Sequence, residues 1–131
     1  KHALVDAMTL ANRILGFVNA PAFIQRVVAG LQDVSVDDTI YLQRRDRFCR
    51  ILSEAGYDFI TPKGAFYIFP KTPIEDDILF CSYLQEQKIL AVPGRGFGAP
   101  GYMRLAFCVD EDIISRSANG FKAAIAKAAA P

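Results

Sequence analysis

The chain has 131 residues, enough for one domain with a single core, and its 52% apolar and 22% charged residues are the balance of a globular protein. A net charge of +1 gives no electrostatic footprint for nucleic acid or an anionic membrane, and no apolar run approaches the ~20 residues of a membrane-spanning helix. Three scattered cysteines (Cys49, Cys81, Cys108) and a single histidine, His2, argue against a disulfide framework, a zinc or other metal site with paired ligands, and a nucleophile–histidine pair.

Residues 2–14 carry Leu4, Val5, Met8, Ala11 and Ile14 at helical spacing, and Gly16 is placed to end that helix. Asn19-Ala20-Pro21 restarts a helix whose apolar face is Phe23, Ile24, Val27, Val28 and Leu31, with Gly30 near its end. A long helix is expected from about Val36 to Ala55, capped by Ser35 and closed by Gly56. Arg44, Arg45, Arg47 and Arg50 crowd it, which reads as a solvated basic face sooner than as an anion site. A short strand over 57–60, a turn at Thr61-Pro62-Lys63-Gly64 and an aromatic strand, Ala65 to Phe69, follow. In that aromatic strand Phe66 and Ile68 point one way, and Ala65, Tyr67 and Phe69 the other.

Pro73 to Lys88 reads as a helix opened by Glu75, Asp76 and Asp77, with Ile78, Cys81 and Leu84 along its stripe. Ile89 to Val92 and Tyr102 to Val109 are strands, free to pair as antiparallel neighbours across the connection between them. Asp110-Glu111-Asp112 opens a last helix with Ile114, Ala118, Phe121, Ile125 and Ala128 buried. Cys81 and Cys108 read as small core residues, and the free thiols fit a reducing cytoplasm. The N-terminal KHALVDAMTLANRI lacks the apolar core of a secretion signal. Helices and a small sheet in this order specify an α/β (α+β) two-layer sandwich, a small mixed sheet covered by helices. The strand–helix–strand unit from Ala65 to Val92 is a candidate parallel crossover.

Two features carry the chemistry. The loop Gly94-Arg95-Gly96-Phe97-Gly98 invites a phosphate-binding reading. It runs into Ala99-Pro100-Gly101 and another strand, not into a helix N-terminus, so a tight irregular connection is the better account. Arg104 is more informative. Met103, Leu105, Phe107 and Val109 make one face of the last strand wholly apolar, and Arg104 stands on the other with Tyr102, Ala106 and Cys108. A guanidinium in that setting needs a carboxylate, either an internal Asp or Glu, the commoner case, or an external one gripped by its two-pronged fork. The acidic clusters all sit at helix starts, where capping and the helix dipole explain them. No complete catalytic set is visible.

The ordered set Pro62-Lys63-Gly64-Ala65-Phe66-Tyr67-Ile68-Phe69-Pro70, Ile89-Leu90-Ala91-Val92-Pro93-Gly94 with Phe97-Gly98, and Tyr102-Met103-Arg104-Leu105-Ala106-Phe107 resembles the C-terminal part of aspartate aminotransferases. These are class I/II, fold type I enzymes dependent on pyridoxal phosphate. The resemblance covers nearly the whole chain in matching order. It implies that Arg104 binds the α-carboxylate of an amino-acid or 2-oxo-acid substrate, overturning the internal ion pair. It implies that Phe66 lines the substrate cleft and places Phe97 near the same mouth.

The family's Schiff-base lysine, its arginine for the cofactor phosphate, and the residues around the cofactor ring are expected upstream of Lys1, which does not itself sit in that motif. The resemblance thus implies a single small domain, residues 1–131, with a helical connecting segment over 1–35 and a core over 36–131. The cofactor domain is expected to be absent. Such a fragment is expected to bind no cofactor and to be inactive alone, while the full-length parent would be a cytoplasmic homodimer that transaminates. A self-contained α/β binding or regulatory module that senses a small carboxylate through Arg104 is the alternative from another class.

Overall fold

The computed structural model describes residues 2–16 and 19–130. Lys1, set aside above on its sequence context, lies outside them. The chain divides into two units, Lys1–Val36 and Asp37–Pro131.

The first unit holds helices α1 (His2–Ile14) and α2 (Ala22–Ala29). α1 spans the residues the apolar spacing predicts, with Gly16 at a positive φ of 78° after it, while α2 is capped by Gly30, so Leu31, expected on its face, lies beyond it. Neither helix has a buried residue. Leu4, Val5, Met8 and Ile14 on α1, and Phe23, Val27 and Val28 on α2, are all exposed.

The second unit holds the core. Helix α3 (Thr39–Ala55) starts three residues later than expected, and Ser35 is not its cap. Asp37 instead accepts hydrogen bonds from the Thr39 N–H (3.0 Å) and Oγ1 (2.5 Å), a local turn that competes with helix before Thr39. Gly56 closes α3 in the left-handed conformation, φ 92°. Residues 57–60 form no strand. Their backbone is tied elsewhere, the Asp58 carbonyl accepting from the Lys71 N–H, while Tyr57 packs into the core and donates from its hydroxyl to the Phe121 carbonyl.

Strand β1 (Tyr67–Ile68) is shorter than the aromatic run that encodes it, because Ala65 takes a positive φ of 60° and Pro70 has no N–H to continue the ladder. Helix α4 (Asp77–Glu86) is capped by Asp76, whose carboxylate accepts from the N–H groups of Ile78 and Leu79. Its buried stripe is Asp77, Phe80, Cys81 and Leu84, so Ile78, expected inside, is half exposed. After β2 (Val92–Pro93) a single 3-10 turn, Gly94–Phe97, leads to β3 (Met103–Ala106). The last helix is two: α5 (Glu111–Arg116) and α6 (Ala118–Ala128). They part at Ser117, whose hydroxyl bonds back to the Ile114 carbonyl at 2.6 Å.

The sheet has the order β1–β3–β2. Tyr67 pairs with Ala106 and Ile68 with Leu105; Val92 pairs with Arg104 and Pro93 with Met103. Both ladders are antiparallel, so the expected mixed sheet is not found. β1 and β2 are parallel to each other, as the crossover implies, but β3 lies between them. Ile68, Met103, Leu105 and Phe107 face inward and meet Phe48, Leu52, Phe80, Leu84, Ile114 and Phe121 from the helices. That is the expected two-layer α/β architecture, with helices on one face of the sheet. Cys81 is buried, but Cys108, expected in the core, is exposed. It follows inward Phe107 in an extended chain, so it points out.

Candidate functional site

The other face of the sheet carries Tyr67, Phe69, Tyr102 and Arg104, brought together by strand register. Tyr67 opposite Ala106 sets Phe69 opposite Arg104, and same-face residues follow from the two-residue alternation. Phe69 stacks on Tyr102 with ring centroids 5.7 Å apart and planes 7° from parallel, and meets Phe97 edge-on at 6.2 Å. The half-buried guanidinium of Arg104 lies between two rings, its Cζ 4.4 Å from the Tyr67 centroid and 4.5 Å from the Phe97 centroid. Each such contact contributes about 0.5–2 kcal/mol. None of the ion pairs among the described residues involves Arg104. Its N–H groups are not among the buried unpartnered atoms either, so the fork opens to solvent. An internal salt bridge therefore does not explain this arginine: its Cζ packs against two rings and its N–H groups have no acidic partner among the described residues. That geometry suits a carboxylate arriving in the guanidinium plane.

Of the residues singled out from sequence, the structure brings Phe97 to Arg104 and leaves Phe66 apart from it. Phe66 alternates with Tyr67 to the helix side, where its ring meets Tyr41 of α3 at 5.1 Å. Sequence reasoning passed over Tyr67. The parity that places Tyr67 with Arg104 was available, but it needed the β1–β3 register to be used.

The glycine turn is a connection, as expected. Gly98 and Gly101 have φ near 75° and 78°, and a Cβ on Gly94 would lie 2.3 Å from the Ala99 carbonyl oxygen. Its arginine is engaged within the fold. The Arg95 N–H donates to Asp77 Oδ2 at 2.8 Å, its Nε–H donates to Oδ1 at 2.6 Å, and its Nη2 reaches Asp76 Oδ1 at 3.1 Å. Burial would raise the Asp77 carboxyl, but the hydrogen bonds and charge of Arg95 outweigh it and hold the group below its ordinary range. Three arginines of α3 have partners within the fold, Arg45 bonding to Asp46 and the Pro62 carbonyl, while Arg50 is exposed. Arg44 pairs with Asp110 at 3.4 Å, and Arg47 reaches Glu111 and Ser115 of α5, so the expected solvated basic face is exposed at Arg47 and Arg50 but also ties α3 to α5.

Pyridoxal phosphate, which the resemblance implies, requires a lysine, a phosphate cradle and an acid for its ring nitrogen. The residues around Arg104 do not fit it. They are aromatic, and the nearby turn has its Arg95 N–H and guanidinium engaged by Asp77. Among the described residues no cluster of His, Cys, Asp or Glu could hold a metal, and no helix is long and apolar enough to cross a membrane.

Fold and site together define a small α/β domain whose sheet carries, on the face away from its helices, an arginine packed against two aromatic rings with no acidic partner among the described residues. The chain belongs to the family of class I and II aminotransferases, whose family model matches residues 4–120. It is 38% identical over 84 residues to the aspartate aminotransferase of Thermotoga maritima, a match that covers 60% of this chain and 22% of that enzyme. The crystal structure of an aminotransferase from Eubacterium rectale superposes with a TM-score of 0.80 at 35% identity, over 92% of this chain and 30% of its own. The aspartate aminotransferase of Thermus thermophilus, solved with maleate, superposes with a TM-score of 0.63 at 28% identity, over 66% of this chain and 23% of its own. The chain thus spans less than a third of the length of each of these relatives.

Proposed function

We propose that this chain is the substrate-carboxylate-binding small domain of a pyridoxal-phosphate-dependent transaminase, and that Arg104 holds the α-carboxylate of the amino-acid and 2-oxo-acid substrates. The observation that carries this reading is the free fork: a half-buried guanidinium fixed between Tyr67 and Phe97 with no acid of its own. The Thermus relative was solved with a dicarboxylate, which agrees with a family site built for carboxylates. In this reading residues 1–36 connect the domain to the rest of the protein. The cofactor, which supplies the electron sink when bound, is held by parts of the protein beyond these residues, and the whole enzyme is a dimer acting in the cytoplasm.

The chain's own contribution is positional. A two-pronged grip on one carboxylate fixes the substrate's orientation and converts a loose encounter into a defined one. Arg104→Ala in the full-length protein removes a charge-assisted pair, so kcat/KM for amino-acid donors is expected to fall about a hundredfold, equivalent to ~3 kcal/mol. Arg104→Lys, a point charge in place of a fork, recovers only part of that. An unchanged kcat/KM in Arg104→Ala would sink the proposal. Phe66 stands on the helix side of the strand, and Phe66→Ala is expected to lower stability more than substrate affinity.

A further inference from the structure

Arg104 is held from two sides, and the two sides are held differently. Tyr67 belongs to β1, and its place is set by the ladder to β3. Phe97 belongs to no strand. It ends a 3-10 turn that contains Gly94 and Gly96 and is followed by Gly98, a glycine-rich stretch with wide backbone freedom, and the residue is 51% exposed. Backbone bonds from the N–H groups of Gly94, Gly98 and Ala99, and the edge of Phe69 against Phe97, hold part of the turn, and the side chain that ties it to α4 is Asp77. Its side chain is fully buried, and it accepts from both the Arg95 backbone N–H and the Arg95 guanidinium.

Helix capping does not account for this acid. Asp76 performs that task for α4, accepting from the N–H groups of Ile78 and Leu79. A carboxylate taken wholly out of water is costly unless paired, and here the pair lies two residues from the ring that covers Arg104. The order of contacts is Asp77 to Arg95, then along the turn to Phe97, then to the guanidinium.

We infer that Asp77 is a positioning residue for carboxylate capture, acting through Arg95 and the 94–97 turn to keep Phe97 on the face of Arg104. This rests on the reading of Arg104 as the carboxylate-binding group. With both rings in place the guanidinium is confined to a slab and presents its edge outward before any ligand arrives. With Phe97 displaced, the arginine regains rotamer freedom that a ligand must then remove.

The test uses Asp77→Asn and Phe97→Leu in the full-length transaminase, with 15N-arginine labelling of the 131-residue chain alongside. Expected are a KM for the amino donor and an inhibition constant for maleate raised about tenfold, with kcat changed less than threefold. The doubly substituted protein should be no worse than either single one. The Arg104 Nε–H resonance, moved by ring currents from Tyr67 and Phe97, should return towards the free-arginine position in both variants. Should Asp77→Asn not fold, Arg95→Lys keeps a cation for the buried acid while removing the Nε contact, and should loosen the same link.

Two results overturn the inference: an unmoved Arg104 signal in folded Asp77→Asn or Arg95→Lys, or a loss confined to kcat with KM unchanged, which is the mark of a smaller folded fraction. The two levels separate cleanly. If Arg104→Ala leaves kcat/KM unaltered, the carboxylate reading and this inference fall together. If Arg104→Ala is impaired and Asp77→Asn is not, only the positioning role falls.

Discussion

Gly94 is where the turn beside the site comes closest to its neighbours. Its N–H donates to the Tyr102 carbonyl at 2.7 Å, and a side chain there would meet backbone oxygens at 2.3 and 2.7 Å, neither of which can swing away. Gly94→Ala should therefore cost about 3 kcal/mol or more, read as a lowered urea midpoint, because the strain falls on the β2–β3 connection itself. The cysteines make a second test of burial. Cys81 lies in the core, where burial, with the charge of Asp77 adding to it, pushes its thiol up to about 11, while Cys108 is exposed. Iodoacetamide at pH 8 should modify Cys108 in the native protein and reach Cys81 only on unfolding; equal labelling rates would contradict this packing. At this scale sequence served Arg104 well, since a lone guanidinium in an apolar strand is conspicuous. It served Asp77 badly. Three acids in a row at a helix start all look like caps, and only the fold shows that Asp76 caps while Asp77 anchors Arg95.

Elements that depend on local periodicity were legible, and those that depend on partners were not. α1, α2 and the end of α3 follow from apolar spacing and glycine caps alone. The start of α3, the break at Ser117 and the missing strand over 57–60 are decided by side-chain and backbone hydrogen bonds that periodicity does not register. Sheet pairing was half legible: the β2–β3 hairpin follows from a short connection, but the insertion of β3 between β1 and β2 is a tertiary fact. The Asp77–Arg95 link joins the start of α4 to that hairpin, and its strength should be visible in acid. Asp77 titrates below its ordinary 3.8 in the folded chain, so its contribution is complete above the unfolded value and disappears as pH falls through the lowered one. Tm for the unaltered chain and Asp77→Asn should therefore differ by a constant amount above about pH 5 and converge below about pH 4. A gap that persists unchanged to pH 3 would show that the carboxylate charge is not what stabilises the link.

The molecule as a whole is uneven in how it buries its apolar residues. Among the described residues every buried core residue, from Phe48 to Ala124, lies in the unit Asp37–Pro131, while α1 and α2 bury none and leave their leucines, valines and phenylalanine exposed. Stability is expected to reside where the burial is, at roughly 25 cal/mol per Å² of apolar surface removed from water. A chain shortened to residues 37–131 should keep a cooperative thermal transition, with a midpoint within a few degrees of the longer chain. It should also bind less of a hydrophobic dye and self-associate less, because the bare helical faces are an aggregation liability. Circular dichroism melts, dye fluorescence and sedimentation on the two chains decide this. Loss of the cooperative transition on removing residues 1–36 would mean that the core over Phe48–Ala124 is not sufficient by itself.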